Sequence, residues 1–278
     1  MAHRATKRLK RLLITASSFI GICIVIAIIY SEITIKLLFE IGYHEVYRGN
    51  NDRGNKIMIY ALSKADSITY RGFHSLSVQN TKNGNYNLAI PALEKAAELN
   101  PSERGYYGWV LLYYYHDYER ALEQLEKYDA LTPDFVDVAG GEDIYYLKGL
   151  THMQLKNHSK AVKEFNLCIT HISSTIGEEW VDVYAFVNKG RSLAQLDQHE
   201  EAVESYLTAI KNYDKCAEAY YFMGLSQLKI NQNGNACLNF KKALELVKKG
   251  YKSSDSYVEL FHEIYDQQIE KSISINCS

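Results

Sequence analysis

The stretch GNYNLAIPALEKAAELNP, at Gly84–Pro101, decides the fold because the chain repeats its pattern. Four later stretches keep the same order of small, apolar and charged residues: HDYERALEQLEKYDALTP at His116–Pro133, NHSKAVKEFNLCI at Asn157–Ile169, QHEEAVESYLTAI at Gln198–Ile210 and GNACLNFKKALEL at Gly234–Leu246. A unit that recurs along a chain is typical of an array of similar supersecondary units, each packed against its neighbours.

Within each copy, the apolar residues fall on one side of a helix. An alanine comes first, a large apolar residue follows four positions later, and a small residue usually comes three positions after that. The sets are Ala89/Leu93/Ala96, Ala121/Leu125/Tyr128, Ala161/Phe165/Cys168, Ala202/Tyr206/Ala209 and Ala236/Phe240/Ala243. Steps of three and four residues return to the same face of an α-helix, so each copy predicts one amphipathic helix.

A second helix is predicted upstream of four copies, from the pairs Phe73/Leu76, Tyr145/Gly149, Phe186/Gly190 and Tyr220/Gly224. Together the two helices resemble the tetratricopeptide repeat, a helix–turn–helix of about 34 residues with the pattern W-x2-L-G-x2-Y, then A-x3-F, then P. Pro101 and Pro133 match the last position of that pattern. The resemblance covers about residues 70–250. It implies an all-α, right-handed solenoid of about five helical hairpins.

The copies depart from the family pattern in spacing, with 32, 40, 41 and 34 residues between successive first alanines. The extra residues fall around Asp134–Gly141 and Thr170–Val181. The first insertion contains two adjacent glycines and predicts a longer loop, whereas the second predicts a helical extension that turns at Gly177. Both are candidate contact loops. In the second copy the first helix, GYYGWVLLYYY at Gly105–Tyr115, is out of register with the family by about one residue.

In this family the first helix of each pair lines the concave side of the solenoid, where peptide segments bind. The resemblance assigns this groove to Arg71, His74, Val78, Tyr146, Leu150, Met153, Tyr184, Val187, Arg191, Tyr221, Leu225 and Leu228. The set is mostly apolar or aromatic, and the chain holds 23 tyrosines, so we expect an apolar groove with hydroxyl groups and few cations. The alternative is that many of these tyrosines pack between helices.

Some members of the family bind a chaperone's C-terminal carboxylates with paired Lys/Asn and Lys/Arg side chains on successive first helices. The matching positions here hold His74 and Val78, Tyr146 and Leu150, or Tyr221 and Leu225. Only Asn188 and Arg191 partly suit that role. The sequence therefore predicts a groove without a carboxylate clamp.

An uncharged stretch near the N-terminus, LLITASSFIGICIVIAIIYS at Leu12–Ser31, predicts a transmembrane helix. Twenty residues rise about 30 Å as a helix, which matches the hydrocarbon thickness of a bilayer. Residues 1–11 carry five Lys and Arg residues and no acidic residue, so the positive-inside rule places the N-terminus in the cytoplasm and the rest outside. A cleaved signal peptide is the alternative, and a lipoprotein signal at Cys23 or a buried core helix fits less well.

The remaining segments flank the repeats. Residues 32–69 predict a helical connector, with a degenerate hairpin that turns near Arg48–Gly54. The apolar residues of Asp255–Lys271 share one helix face and predict a capping helix over the last repeat, followed by a frayed tail. The predicted domains are a basic N-terminus at 1–11, a transmembrane helix at 12–31, a connector at 32–69, the repeats at 70–250, and the capping helix with its tail at 251–278.

Composition and motifs argue against several classes of function. The net charge of −2 provides no basic field for nucleic acid. Five cysteines occur without a Cys-x-x-Cys pair, so neither a disulfide framework nor a zinc site is predicted, and the odd number leaves at least one cysteine unpaired within the monomer. The sequence contains no phosphate-binding loop, His-Glu-x-x-His pair or nucleophile elbow, so we expect no enzymatic activity, cofactor or metal.

These observations favour a non-catalytic scaffold that is tethered to a membrane through residues 12–31 and binds a protein or peptide partner in a Tyr-rich groove. The leading interpretation is a bacterial inner-membrane protein whose repeats face the periplasm and act in envelope assembly, secretion or quality control. The alternatives are a receptor for targeting peptides on an organelle membrane and a regulatory subunit of a membrane enzyme complex.

Overall fold

A computed structural model describes residues 2–65 and 69–277 of the chain. In the first helix, the side chains are described from Ser18 onward, apart from those of Phe19 and Ile29. The chain divides into two compact units, residues 1–101 and residues 102–278. The five basic side chains at residues 4–11, on which the predicted orientation depends, lie outside the described side chains.

The first unit consists of two helical hairpins. Its helices are α1 (Ala2–Tyr47), α2 (Asn51–Lys64), α3 (Tyr70–Lys82) and α4 (Tyr86–Leu99). The chain turns between α1 and α2 inside the predicted turn region, and the two helices approach closely at two glycines. A Cβ atom on Gly42 would lie 2.8 Å from the carbonyl oxygen of Gly54. The shared core is formed by Phe39, Val46, Met58, Ala61, Leu76 and Ala92.

The helix α1 extends well beyond the predicted transmembrane segment at 12–31. Its stretch Ile20–Tyr47 is long and apolar enough to cross a membrane, by length and composition. Ile20, Ile22 and Ile28 are each more than half exposed, whereas Phe39 is only 8% exposed because it packs in the core of the first unit. From Phe39 onward α1 is partly covered by the first unit, although Ile41 and Tyr47 remain exposed.

The second unit continues the repeat of hairpins. Its helices are α5 (Glu103–Val110), α6 (Tyr118–Asp129), α7 (Ile144–Gln154), α8 (His158–Thr175), α9 (Val183–Ala194), α10 (His199–Asn212), α11 (Ala217–Lys229), α12 (Asn233–Lys248) and α13 (Asp266–Asn276). Consecutive helices from α5 to α12 pair as four hairpins, and α9 contacts both α7 and α11. The predicted all-α repeat fold is confirmed.

Close packing inside three hairpins depends on a glycine that faces an aromatic ring. The pairs are Gly149 with Phe165, Gly190 with Tyr206, and Gly224 with Phe240. A Cβ atom on any of these glycines would lie 2.6–2.7 Å from a carbon of the ring, and each ring is almost completely buried. The recurring first alanines are fully buried as well. The pattern found in the sequence is thus the pattern of the hairpin core.

A π-helical turn at Leu111–Tyr115 explains the register shift in the second copy. In the later hairpins of this unit, the N–H at the start of the second helix donates to a carbonyl five residues earlier, as Asn157 does to His152. In the second copy, the N–H of Asp117 donates to the carbonyl of Leu111, six residues earlier. A π-helical turn holds one residue more than an α-helical turn, so the shift is absorbed there.

The two insertions differ in structure. The insertion at 134–141 was predicted as a loop, but it leads into a short antiparallel hairpin of β1 (Val138–Ala139) and β2 (Glu142–Asp143). Gly140 and Gly141 form its turn with positive φ angles. In the second insertion, α8 continues to Thr175 and the chain turns at Gly177, as the sequence predicted. A 3₁₀ turn follows at Glu178–Trp180.

The C-terminal region differs from the prediction. Residues 251–265, which we call the C-terminal segment, contain no regular helix, and the helix that follows is α13 rather than Asp255–Lys271. One physical reason is local, because the Asp255 carboxylate accepts hydrogen bonds from the N–H groups of Tyr257 and Val258 and forms a turn instead. The predicted frayed tail is mostly ordered, since α13 extends to Asn276.

A disulfide that the sequence did not predict holds α13 in place. Cys277 is bonded to Cys237 of α12, with their Cα atoms 5.5 Å apart. Ile269 of α13 and Ile264 of the C-terminal segment are fully buried in a core with Phe240 and Leu246. Cysteine spacing alone does not reveal such a pair, because only the fold brings the two residues together.

Candidate partner-binding groove

We call the groove the surface of the second unit that is formed by α7, α9, α11 and the π-helical turn. Three of the predicted groove residues, Arg191, Leu225 and Leu228, line one pocket of about 520 Å³. The pocket is also lined by His199, Phe222 and Lys229. Gln195, Asp197 and Ser226 also line it, so the pocket has both apolar and polar walls.

Other predicted groove residues of the second unit lie deeper. Leu150 and Val187 are fully buried, and Tyr146, Met153 and Tyr221 are nearly so. Tyr146 packs on the ring of Phe165 and accepts a hydrogen bond from Asn188. These side chains pack between helices, which is the alternative that the sequence left open.

Tyr184 is described below with His262, and the other three predicted groove residues belong to the first unit. Arg71 is exposed, and its Nε lies 3.3 Å from the hydroxyl of Tyr70. His74 and Val78 are half-buried on the same helix, α3. Arg71 lines a pocket of about 250 Å³ together with Lys36 and Glu40 of α1.

The C-terminal segment enters the groove through Phe261. Its ring stacks on the ring of Tyr113, in the π-helical turn, with centroids 5.5 Å apart and an interplanar angle of 25°. The rings of His116 and Tyr118 lie 6.2 and 6.3 Å from it. Phe261 thus occupies an aromatic site built from the second copy, the repeat whose first helix is irregular.

Arg191 connects the segment to α9. Its guanidinium donates hydrogen bonds to the main-chain carbonyl of Phe261 at 2.5 Å and to the side-chain oxygen of Asn188 at 3.0 Å. It also lies 4.7 Å from the ring centroid of Phe222, in a cation–π contact. Burial lowers the pKa of Arg191. Because neither of these two hydrogen-bonding partners is a carboxylate, they do not balance the positive charge of the guanidinium. Arg191 is therefore suited to bind an additional acceptor.

His262 stacks directly on Tyr184, with ring centroids 3.8 Å apart and an interplanar angle of 13°. Its Nδ1 lies 3.4 Å from the side-chain nitrogen of Asn188, and its buried Nε2 has no hydrogen-bond partner among the described residues. Burial, and then the charge of Arg191, lowers the pKa of His262 to about 3. The ring is therefore neutral at physiological pH.

Two carboxylates, half-buried Glu142 and fully buried Glu218, fix the tyrosines on which the segment stacks. Glu142 accepts hydrogen bonds from the hydroxyl of Tyr113 at 2.9 Å and from the indole N–H of Trp109 at 3.0 Å. Burial raises the pKa of Glu142 to about 7. Glu218 accepts from the hydroxyl of Tyr184 at 3.3 Å and from the N–H of Ser253 at 2.6 Å. Burial also raises the pKa of Glu218.

Sequence reasoning missed Tyr113, Glu142 and Glu218 as groove residues. For Glu142 there was a signal, because it follows the insertion that was singled out as a candidate contact loop. Glu218 lies at the start of α11, where an acidic side chain is usual for helix capping and gives no indication of another role. Among the described residues, no group of three His, Cys, Asp or Glu side chains is placed to hold a metal ion.

Family models confirm the repeats. Tetratricopeptide-repeat models match residues 76–103, 142–170 and 187–249. The stretch between the first two matches contains the π-helical turn and most of the β-hairpin, where the chain departs from the family pattern. The chain therefore contains tetratricopeptide repeats, with one irregular copy among them.

Solved structures support the same fold. A solved structure of MamA, residues 41 to the end, from Desulfovibrio magneticus RS-1 aligns with a TM-score of 0.56 at 18% identity, over 66% of this chain and 98% of that one. The C-terminal part of a repeat-containing protein from Cytophaga hutchinsonii aligns with a TM-score of 0.54 at 15% identity, over 76% and 80% of the two chains. At these identities the likeness shows the fold alone. No curated protein matches the sequence significantly.

Proposed function

We propose that the protein is a non-catalytic interaction scaffold, tethered to a membrane by the N-terminal part of α1, that binds an extended segment of a partner protein in the groove. The observation that carries this proposal is the groove itself, in which helix-borne aromatic rings and Arg191 already hold a non-helical stretch of chain. Repeats of this kind use the same surface to bind peptides.

The exposed apolar face of α1 supports the tether. Isoleucines between Ile20 and Ile28 are each more than half exposed, which would be unfavourable in water. A bilayer would cover such a band, because the stretch is long enough to span it. The basic residues at 1–11 then favour a cytoplasmic N-terminus and extracytoplasmic repeats.

The disulfide supports the same orientation. The bond between Cys237 and Cys277 is of a kind that persists in the periplasm or outside the cell, and that is uncommon in the cytosol. With the repeats on that side of a bacterial inner membrane, the scaffold would act in envelope assembly, secretion or quality control.

The tether is tested by membrane extraction. After a wash with carbonate at high pH, we expect the full chain to remain in the membrane pellet, whereas a variant that lacks residues 1–31 becomes soluble. A modification assay with a membrane-impermeant thiol reagent, applied to intact spheroplasts of a Lys156→Cys variant, should label the repeats. Release of the full chain, or labelling only after lysis, would contradict the tether or its orientation.

The groove is tested by photo-cross-linking in cells. A photoreactive residue at Leu225, which lines the pocket of the groove, should yield cross-links to a partner protein. Leu207 is the matched control, because it is an exposed leucine on α10, a second helix of its hairpin. Cross-links to the same protein from Leu207, with none from Leu225, would overturn the groove as the binding surface.

A further inference from the structure

We propose that the C-terminal segment is a resident ligand of the groove, and that the partner is an extended protein segment whose aromatic side chain takes the place of Phe261. The inference rests on the proposed function, since it names the class of partner for the same groove. The C-terminal segment then has a regulatory role in addition to covering the end of the repeats.

The segment contacts the groove as a bound peptide would. One ring, that of Phe261, enters the aromatic site of Tyr113, His116 and Tyr118. The main chain supplies two of the polar contacts, because Arg191 donates to the carbonyl of Phe261 and Glu218 accepts from the N–H of Ser253. Aromatic anchors combined with main-chain hydrogen bonds are a usual way to bind an extended segment.

The ends of the segment are held more firmly than its middle. At its C-terminal end, Ile264 is fully buried and α13 is bonded to α12 through Cys237 and Cys277. At its N-terminal end, the segment follows directly from α12. Residues 254–257 between these ends are exposed. Residues 254–257 therefore provide slack. Phe261 can leave the aromatic site while α13 stays in place, once a competing ring and carbonyl take over its contacts with Tyr113 and Arg191.

A partner in trans can use contacts that the segment leaves unused. The pocket of about 520 Å³ beside Arg191 is lined by Phe222, Leu225 and Leu228 and by no residue of the C-terminal segment. A longer chain that placed an aromatic ring on Tyr113 and continued past Arg191 would also fill this pocket. Apolar contact there would favour the partner over the resident segment.

The resident segment should weaken the binding of any free peptide. A segment joined to the groove by a short flexible connection competes at an effective concentration of the order of millimolar. A peptide with the same contacts therefore has to compete with a segment that is always nearby. Removal of the Phe261 ring from the resident segment should release the aromatic site and tighten binding in trans.

The test uses a fluorescent peptide with the sequence of residues 253–263, SSDSYVELFHE, and the full chain in detergent. Fluorescence anisotropy should show at least about tenfold tighter binding to Phe261→Ala than to the unchanged protein, as expected when a tethered competitor is removed. Phe135→Ala is the matched control, because Phe135 is an exposed phenylalanine outside the groove, and it should bind as the unchanged protein does. A peptide with alanine in place of its phenylalanine should bind Phe261→Ala at least about tenfold more weakly.

Equal affinity of the peptide for Phe261→Ala and for the unchanged protein would overturn the inference, as would a peptide affinity that does not depend on its phenylalanine. Should Phe261→Ala fail to fold, Phe261→Leu keeps an apolar side chain and should show a smaller gain in the same direction. The peptide is independent of the natural partner. If the peptide result is negative but Leu225 gives cross-links, the resident-ligand inference is wrong and the scaffold function stands. If the peptide binds as expected but Leu225 gives no cross-links, the scaffold function is wrong and the resident ligand stands.

Discussion

Replacement of Phe240 by alanine is expected to lower the free energy of unfolding of the second unit by about 3–5 kcal/mol. The Phe240 ring is fully buried and lies where a Cβ atom on Gly224 would meet it. It also packs on Tyr221, with ring centroids 5.8 Å apart, and belongs to the core that contains Ile264 and Ile269. The substitution would leave a cavity that the rigid α11/α12 hairpin closes only in part.

Urea unfolding followed by circular dichroism measures this effect. Because neighbouring repeats stabilise one another, the loss should reach beyond the last hairpin and make the transition less cooperative. Phe135→Ala, with its side chain 67% exposed, is the matched control and should change stability by less than about 0.5 kcal/mol. Similar losses from the two variants would show that Phe240 is not part of a packed core.

The hairpins could be predicted because their determinants are local. The alanine, the aromatic residue four positions later and the glycine of the preceding helix all lie within one repeat, and helical periodicity alone places them on facing sides. Ala161, Phe165 and Gly149 illustrate this, since all three are buried as the pattern requires. Even the π-helical turn was visible in the sequence, as a shift of one residue in the repeat pattern of the second copy.

The contents of the groove could not be predicted in the same way. Arg191 and Phe261 are 70 residues apart in sequence, and no periodicity connects them. The apolar residues of the C-terminal segment predicted one helix face. In the structure, Phe261 packs in the aromatic site, whereas Ile264 packs in the core. Tertiary contacts decide the conformation of such a stretch, because its own helical preference is weak.

The burial of individual groove residues also could not be predicted from the sequence. The family pattern places Val187 and Arg191 on the same face of α9, yet Val187 is fully buried and Arg191 reaches the C-terminal segment. A helix face is defined by angle, whereas exposure also depends on the length of the side chain and on what covers it. Long side chains such as arginine extend past the helix packing that encloses valine.

Acid is expected to destabilise the second unit through His262. Its pKa is about 3 in the folded protein, because of burial and of the charge of Arg191, against about 6.5 for a histidine in an unfolded chain. Above pH 6.5 the ring is neutral in both states and its contribution to stability is fully present. As the pH falls from 6.5 toward 3, only the unfolded state takes up the proton, so that contribution is lost progressively.

Protonation of Glu142 has the opposite effect on the stability of the second unit. Its pKa is raised by burial to about 7 in the folded protein, above the usual value of an unfolded glutamate, so its protonation stabilises the folded state as the pH falls from 7 toward 4.5. The unchanged protein shows the sum of these and further titrations, because burial also lowers the pKa of His152 and His158 and raises the pKa of Glu164 and Glu218. A single stability profile cannot separate them, whereas a comparison of variants can.

His262→Phe keeps a ring that can stack on Tyr184 but removes the titration. Relative to this variant, the unchanged protein should lose about 2–3 kcal/mol of unfolding free energy between pH 8 and pH 4.5, measured by urea unfolding. Glu142→Gln removes the opposing group, so its stability should fall more steeply over the same range than that of the unchanged protein. Parallel profiles for the unchanged protein and His262→Phe would mean that His262 can be protonated without cost, and hence that it does not lie buried between Tyr184 and Arg191.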